Sequence, residues 1–108
     1  MKKIERRWIN WEKTGKRLRM LRTQNVNLRR YVCWSLKFDR GNCSGDCQSC
    51  EYEMDASISR SELAEIFTTS ESVVFNWEAG KTSPDLEDLF LYANICGITL
   101  EDILVFDE

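Results

Sequence analysis

The sequence predicts an all-α fold of five helices in a single domain, and three observations support this. Apolar residues recur three or four positions apart in several segments, as they do on the buried face of a helix. Helix-capping residues precede these segments, and glycine follows two of them. The chain has 108 residues, 43% of them hydrophobic, which gives room for one domain with one core.

The segment 59–84 predicts two short helices joined by a tight turn. Ser59 is followed three residues later by Glu62, so the two can satisfy each other's free backbone N–H groups in a capping box. Apolar residues then form one stripe on this first helix, namely Leu63, Ala64 and Phe67. Thr68 interrupts the stripe and starts the turn.

The second helix of the pair is expected over about residues 70–79. Ser70 is a suitable N-cap, and Gly80 ends the helix because glycine tolerates the left-handed conformation. Val74 and Trp77 face inward. The opposite face holds mostly polar residues: Glu71, Ser72, Phe75 and Asn76. This layout is typical of a helix-turn-helix, whose second helix enters the major groove of DNA. Two ordinary packed core helices are the alternative from the pattern alone.

The segment resembles the Cro/C1 (XRE) family of helix-turn-helix transcription regulators. The matching residues are Glu62-Leu63-Ala64, Ser70, Val74, Trp77-Glu78, Gly80 and Pro84. The resemblance extends to residues 15–22 and to the helices beyond residue 84. It implies a five-helix, lambda-repressor-like domain over residues 1–108 that binds specific sequences of double-stranded DNA. It also implies that Arg22 pairs with Glu78.

By position in the family, Glu71, Ser72 and Asn76 of the recognition helix read base edges. Asparagine can bond adenine through N6 and N7, glutamate can accept from cytosine N4, and serine is permissive. Phe75 contacts a thymine methyl or packs inward. Ser70, the cap of the helix, belongs to the same surface.

The resemblance assigns phosphate positioning to Arg60 and Ser61 at the start of the first helix of the pair, and to Lys81 after the second. Two features depart from the family. Glu71 places a negative charge near phosphates, and Thr68 stands where many members have glycine, which predicts a strained turn.

Residues 26–58 form an insertion, since family members pass between the flanking helices in a few residues. Four of the five cysteines lie in it with the spacing C-x9-C-x3-C-x2-C: Cys33, Cys43, Cys47 and Cys50. Four thiolates can close a tetrahedral zinc site, and we expect Zn²⁺ to brace this metal-binding loop. An iron–sulfur cluster that senses redox state, or metal-free thiols, are the alternatives. Asn27 is expected to cap a short helix over 28–36.

The remaining helices follow from caps and apolar spacing. The first helix spans 12–25 with Leu18, Met20 and Leu21 toward the core, after a basic and aromatic N-terminal arm or short helix over 2–11. The fourth begins with Ser83 as cap and Pro84 at its first position and ends at Gly97. Its apolar face is expected to comprise Leu86, Leu89, Phe90 and Ala93, with Cys96 in the core. The fifth covers 99–106, capped by Thr99 with Asp102.

Charge is divided unevenly between the two parts of the chain. Residues 1–40 hold 13 basic and three acidic residues, whereas the rest holds two basic and 15 acidic. A basic end suits a polyanion, and attraction between the two parts within the fold is the alternative explanation. The acidic half also fits an alternative function, a protein-interaction adaptor that has lost DNA binding.

The sequence also narrows the class of protein. It contains no histidine and no visible nucleophile–base pair, so neither an enzyme nor a small-molecule substrate is expected. No signal peptide or membrane span is evident, which together with the cysteines favours a cytoplasmic protein. By resemblance, a homodimer through the fifth helix is expected, with Val105 or Phe106 as contacts.

Overall fold

The computed structural model of the chain describes residues 7–38 and 58–107, without the side chains of residues 37 and 38. The described part is mostly helical, and its α-helices are α1 (Trp11–Gln24), α2 (Val26–Cys33), α3 (Arg60–Ile66), α4 (Glu71–Ala79), α5 (Leu86–Cys96) and α6 (Leu100–Ile103). A π-helical turn, Trp34–Phe38, continues α2. Two short strands, β1 (Trp8–Ile9) and β2 (Phe106–Asp107), pair antiparallel.

The core is built from the inward faces of six helices and from Ile58, which lies two residues before α3. Leu18 of α1, Leu28 of α2, Leu63 of α3, Val74 of α4 and Ile103 of α6 are completely buried. An aromatic cluster completes the core: the ring of Phe67 lies 4.4 Å from that of Tyr92 and 5.7 Å, edge to face, from that of Trp77. These rings join α4 and α5 to the end of α3.

The start of α2 differs from the sequence-based prediction. Asn25 rather than Asn27 is the N-cap, and its side-chain oxygen accepts a hydrogen bond from the Leu28 backbone N–H at 2.9 Å. Asn25 is also the residue at which α1 ends, donating its own N–H to the Leu21 carbonyl. One extended residue therefore ends α1 and begins α2, and the second helix starts earlier than its leucine pattern indicated.

The prediction for α5 was correct in its end at Gly97 but wrong in its start and in part of its face. The helix begins at Leu86 with Asp85 as cap, and the Leu89 N–H donates to the Asp85 carbonyl at 2.9 Å. Pro84 lies buried in the preceding loop instead of in the first turn. Leu86 and Phe90 are 61% and 50% exposed. The buried residues are instead Leu89, Tyr92, Ala93 and Cys96.

Three other expectations are corrected, one for Met20 in α1 and two for the segments at the ends of the described chain. Met20 is 54% exposed rather than buried. The last helix ends at Ile103, after which the chain extends into β2. Residues 8 and 9, where an arm or a short helix was expected, form a strand because the Asn10 N–H donates to the Val105 carbonyl at 2.7 Å, which aligns the two segments. The Val105 N–H in turn donates to Thr14 Oγ1 at 3.0 Å.

Within the part of the chain that the structure describes, no helix is long and apolar enough to cross a membrane.

Candidate nucleic-acid interface

The helix pair α3–α4 is defined by local hydrogen bonds that the sequence predicted. Ser59 and Glu62 form the capping box: the Glu62 N–H donates to Ser59 Oγ at 3.0 Å and the Ser59 N–H to Glu62 Oε1 at 3.1 Å. In the turn, Thr68 has a φ of 55°, the left-handed conformation that favours glycine. The strain expected at Thr68 is therefore present. Ser70 caps α4 by accepting a hydrogen bond from the Val73 N–H.

Helix α4 is anchored on one side and open on the other. Val74 is completely buried and Trp77 is 5% exposed, while Gly80 ends the helix with a φ of 76°. On the outward side Glu71, Ser72 and Phe75 are exposed and Asn76 is half-buried. The two serine hydroxyls, of Ser70 and Ser72, lie 3.1 Å apart. The structure thus brings the predicted base-reading residues together on one solvent-facing surface.

The ion pair between α1 and α4 is present as the family resemblance implied. Arg22 Nε donates to Glu78 Oε2 at 2.7 Å and Arg22 Nη2 donates to Glu78 Oε1 at 3.0 Å. Arg22 Nη1 also donates to the Ile58 carbonyl at 2.7 Å, which fixes the chain just before α3. Arg60 adds a second cation, with its Nε 3.1 Å from Glu78 Oε1. One buried carboxylate therefore holds α1, α3 and α4 in place.

Close backbone packing between α1 and α4 is a feature that the sequence reasoning missed. A Cβ atom on Gly15 would lie 2.6 Å from the carbonyl oxygens of both Trp77 and Glu78. A Cβ on Gly80 would lie 2.6 Å from the Glu12 Cα. The sequence signal for this packing was a glycine inside a predicted helix. Glycine destabilises a helix, so its presence there indicates a reason such as the close approach of another backbone.

The predicted phosphate-positioning residues lie at the edges of this surface. Ser61 and Lys81 are exposed, and the Arg60 side chain is 31% exposed while it contacts Glu78. The two cations among them, Arg60 and Lys81, flank the ring of Phe75: the Arg60 Cζ lies 5.2 Å and the Lys81 Nζ 5.9 Å from the ring centroid. Phe75 itself is 46% exposed, so it does not pack inward.

Of the four cysteines in the predicted metal site, only Cys33 lies within the described residues. Cys33 is the last residue of α2 and is half-buried. Cys43, Cys47 and Cys50 lie outside the described ranges, and within those ranges no three metal-ligating side chains come together. Cys96 is a core residue, as predicted: it is 2% exposed, and burial raises the pKa of its thiol to about 11.

Comparison with known protein families agrees with this geometry. The family model described as helix-turn-helix matches residues 54–103, which cover α3 to α6. This part of the chain is similar to the Cro/C1-type (XRE) helix-turn-helix family, a family of DNA-binding transcription regulators. The resemblance seen in the sequence is thereby confirmed over residues 54–103. No curated protein and no solved structure matches the chain significantly.

Proposed function

We propose that this protein is a sequence-specific regulator of transcription that inserts α4 into the major groove of double-stranded DNA. The observation that supports this most strongly is the two-sided character of α4. Val74 and Trp77 hold the helix against the core, whereas on its other side Ser72 is exposed and Asn76 is half-buried. A helix presented in this way suits the docking geometry of helix-turn-helix proteins.

The outward side chains define a chemistry for base recognition. The amide of Asn76 can bind adenine through two hydrogen bonds, in which its Oδ1 accepts from N6 and its Nδ2 donates to N7. The carboxylate of Glu71 accepts from cytosine N4, and Ser72 can donate or accept. The expected site therefore contains an adenine and a cytosine within the few base pairs that one recognition helix spans.

The positions of the charged residues support the same orientation of the protein on the DNA duplex. Arg60, Ser61 and Lys81 border the reading surface and are suited to phosphate contacts, which set the register of the protein without carrying sequence information. The acidic composition of the C-terminal half works against binding, so affinity depends on these few cations and on the basic N-terminal part. We expect log K to fall linearly with log salt, by about 0.9 for each phosphate neutralised.

Selection from fragmented genomic DNA tests the proposal. The wild-type protein should enrich a common sequence, and Ser72→Ala/Asn76→Ala should lose that preference while keeping weak, salt-sensitive binding. Asn94→Ala is the matched control, because Asn94 is an exposed asparagine on α5, away from the reading surface. Failure of the wild-type protein to enrich any sequence, or equal enrichment by the double variant, would contradict the proposal.

Two further parts of the proposal come from the sequence and the family resemblance. Zinc bound by Cys33, Cys43, Cys47 and Cys50 would brace the insertion, and metal analysis of protein purified without oxygen distinguishes zinc from an iron–sulfur cluster. A homodimer through the segment after α6 would place Phe106 at the contact. Sedimentation of the wild-type protein and of Phe106→Ser tests it, because a dimer that depends on this residue should dissociate.

A further inference from the structure

Phe75 is unusual among the residues of the reading surface because it is apolar. It lies in the middle of α4 and is 46% exposed, between residues that can hydrogen-bond. An aromatic ring left in water forfeits the free energy that burial of its surface would provide. A partner that covers this ring on binding would recover that free energy.

Two cations fix where the ring of Phe75 lies. Arg60 Cζ is 5.2 Å and Lys81 Nζ is 5.9 Å from the ring centroid, within the range of cation–π attraction. Arg60 is itself held by Glu78 at 3.1 Å, so this contact connects the ring to the buried charge cluster. The ring is thus placed between a cation from α3 and a cation just beyond α4, and both are of the type that contacts phosphates.

Major-groove chemistry then limits what the ring can meet. The base edges in that groove present hydrogen-bonding groups and one apolar group, the methyl at C5 of a pyrimidine. Resting on the proposed function, we propose that Phe75 is a specificity-determining residue that reads a C5-methylated pyrimidine. The methyl group packs against the ring, while Arg60 and Lys81 keep the ring in place.

A C5-methyl group can come from thymine or from 5-methylcytosine, and Glu71 bears on the choice. Glu71 precedes Phe75 by one helical turn, so the two side chains lie on the same side of α4. The Glu71 carboxylate accepts from cytosine N4 but meets thymine O4 unfavourably, because both are acceptors and neither has a proton to donate. If Glu71 and Phe75 reach one base pair, they read 5-methylcytosine; if they reach neighbouring pairs, Phe75 reads thymine.

The test uses a duplex enriched by the wild-type protein and changes only C5 substituents. In one arm each thymine is replaced in turn by deoxyuridine, which removes the methyl group alone. In the other arm each cytosine is replaced by 5-methylcytosine. At one position we expect the methylated base to bind about fourfold more tightly, the worth of one buried methyl group. The arm in which this occurs identifies the base.

Variants then assign the effect to Phe75. In Phe75→Ser the methyl preference should disappear, whereas Phe75→Leu, which keeps an apolar contact, should retain part of it. Phe90→Ser is the matched control, since Phe90 is 50% exposed on α5, and it should leave the preference unchanged. Circular dichroism checks that each variant is folded.

Two results would overturn the inference while leaving DNA recognition intact. One is tight, selective binding with no methyl preference at any position. The other is a methyl preference that persists in Phe75→Ser. A wild-type protein that binds no specific sequence would overturn the proposed function, and the inference with it, in the earlier selection experiment.

Discussion

Arg22 of α1 and Glu78 of α4 form a bidentate ion pair, with N–O distances of 2.7 and 3.0 Å, and neither side chain is more than 8% exposed. The pair lies beneath the reading surface and fixes the end of the recognition helix to the first helix. Because Arg22 also bonds the Ile58 carbonyl, the same guanidinium sets the start of α3. The orientation of the whole helix-turn-helix therefore depends on one buried charge pair.

Breaking this pair from one side should be strongly destabilising. Glu78→Leu leaves the Arg22 guanidinium buried without its carboxylate, and we expect the free energy of unfolding to fall by about 3–5 kcal/mol. Arg22→Met leaves the carboxylate with Arg60, which is partly exposed, so its effect should be somewhat smaller. Urea unfolding followed by circular dichroism measures both.

The double variant Arg22→Met/Glu78→Leu separates charge burial from packing. An apolar pair of similar volume removes both charges, so the loss should be much smaller than the sum of the two single losses. Strict additivity of the two single effects would show that Arg22 and Glu78 do not act as a pair.

Local signals and the family resemblance account for what the sequence predicted correctly. Ser59, Ser70 and Thr99 each precede a helix by one residue, and each caps it in the structure. A cap depends only on residues three positions apart, so it can be recognised without knowledge of the fold. The Arg22–Glu78 pair joins distant residues and could be expected only from the family.

Features that depend on distant packing were missed. The pairing of Trp8–Ile9 with Phe106–Asp107 joins opposite ends of the described chain through two residues on each side, too short a run for a strand pattern. The buried face of α5 was predicted correctly only at Leu89 and Ala93, because apolar residues surround that helix. Contact of Tyr92 with the rings of Phe67 and Trp77 determines which side faces the core, and Leu86 and Phe90 are left outside.

The contact at Gly15 predicts that a single methyl group will disturb α4. In Gly15→Ala the new Cβ would meet the Trp77 and Glu78 carbonyl oxygens at 2.6 Å, and backbone atoms cannot rotate away. Overpacking of this kind costs about 1–3 kcal/mol, more than the gain of up to about 1 kcal/mol in helix propensity. We expect a net loss of stability in urea unfolding. Lys16→Ala, at the next and exposed position of α1, should be nearly neutral or slightly stabilising; equal behaviour of the two variants would contradict the packing.

The hydroxyl of Tyr92 predicts a stabilising substitution. It is completely buried, and among the described residues it has no hydrogen-bond partner. A buried hydroxyl without a partner costs about 1–3 kcal/mol, so Tyr92→Phe should raise the free energy of unfolding by about 1 kcal/mol while keeping the ring contacts. A decrease on thermal or urea unfolding would mean that the hydroxyl is hydrogen-bonded in solution. Phe67→Leu, which changes a ring of the same cluster without removing a polar atom, should destabilise.

The buried thiol of Cys96 predicts a loss of stability at alkaline pH. Burial raises the pKa of Cys96 from its usual 9.0 to about 11, so between these values the unfolded chain releases a proton that the native state retains. Ionisation therefore favours unfolding, and the stabilising contribution present below pH 9 is lost as the pH rises toward 11. Between pH 8 and pH 10 we expect this thiol alone to lower the free energy of unfolding by about 1 kcal/mol.

Comparison of pH profiles isolates that contribution. Cys96→Ala should be less stable at pH 8 because it leaves a small cavity, but its stability should fall less steeply from pH 8 to pH 10 than that of the wild-type protein. Tyr92→Phe is the control: burial also raises the pKa of Tyr92, but an unfolded tyrosine ionises only near pH 10, so this variant should keep the wild-type slope up to about pH 9.5. Parallel profiles for the wild-type protein and Cys96→Ala would show that the thiol titrates alike in the native and unfolded states.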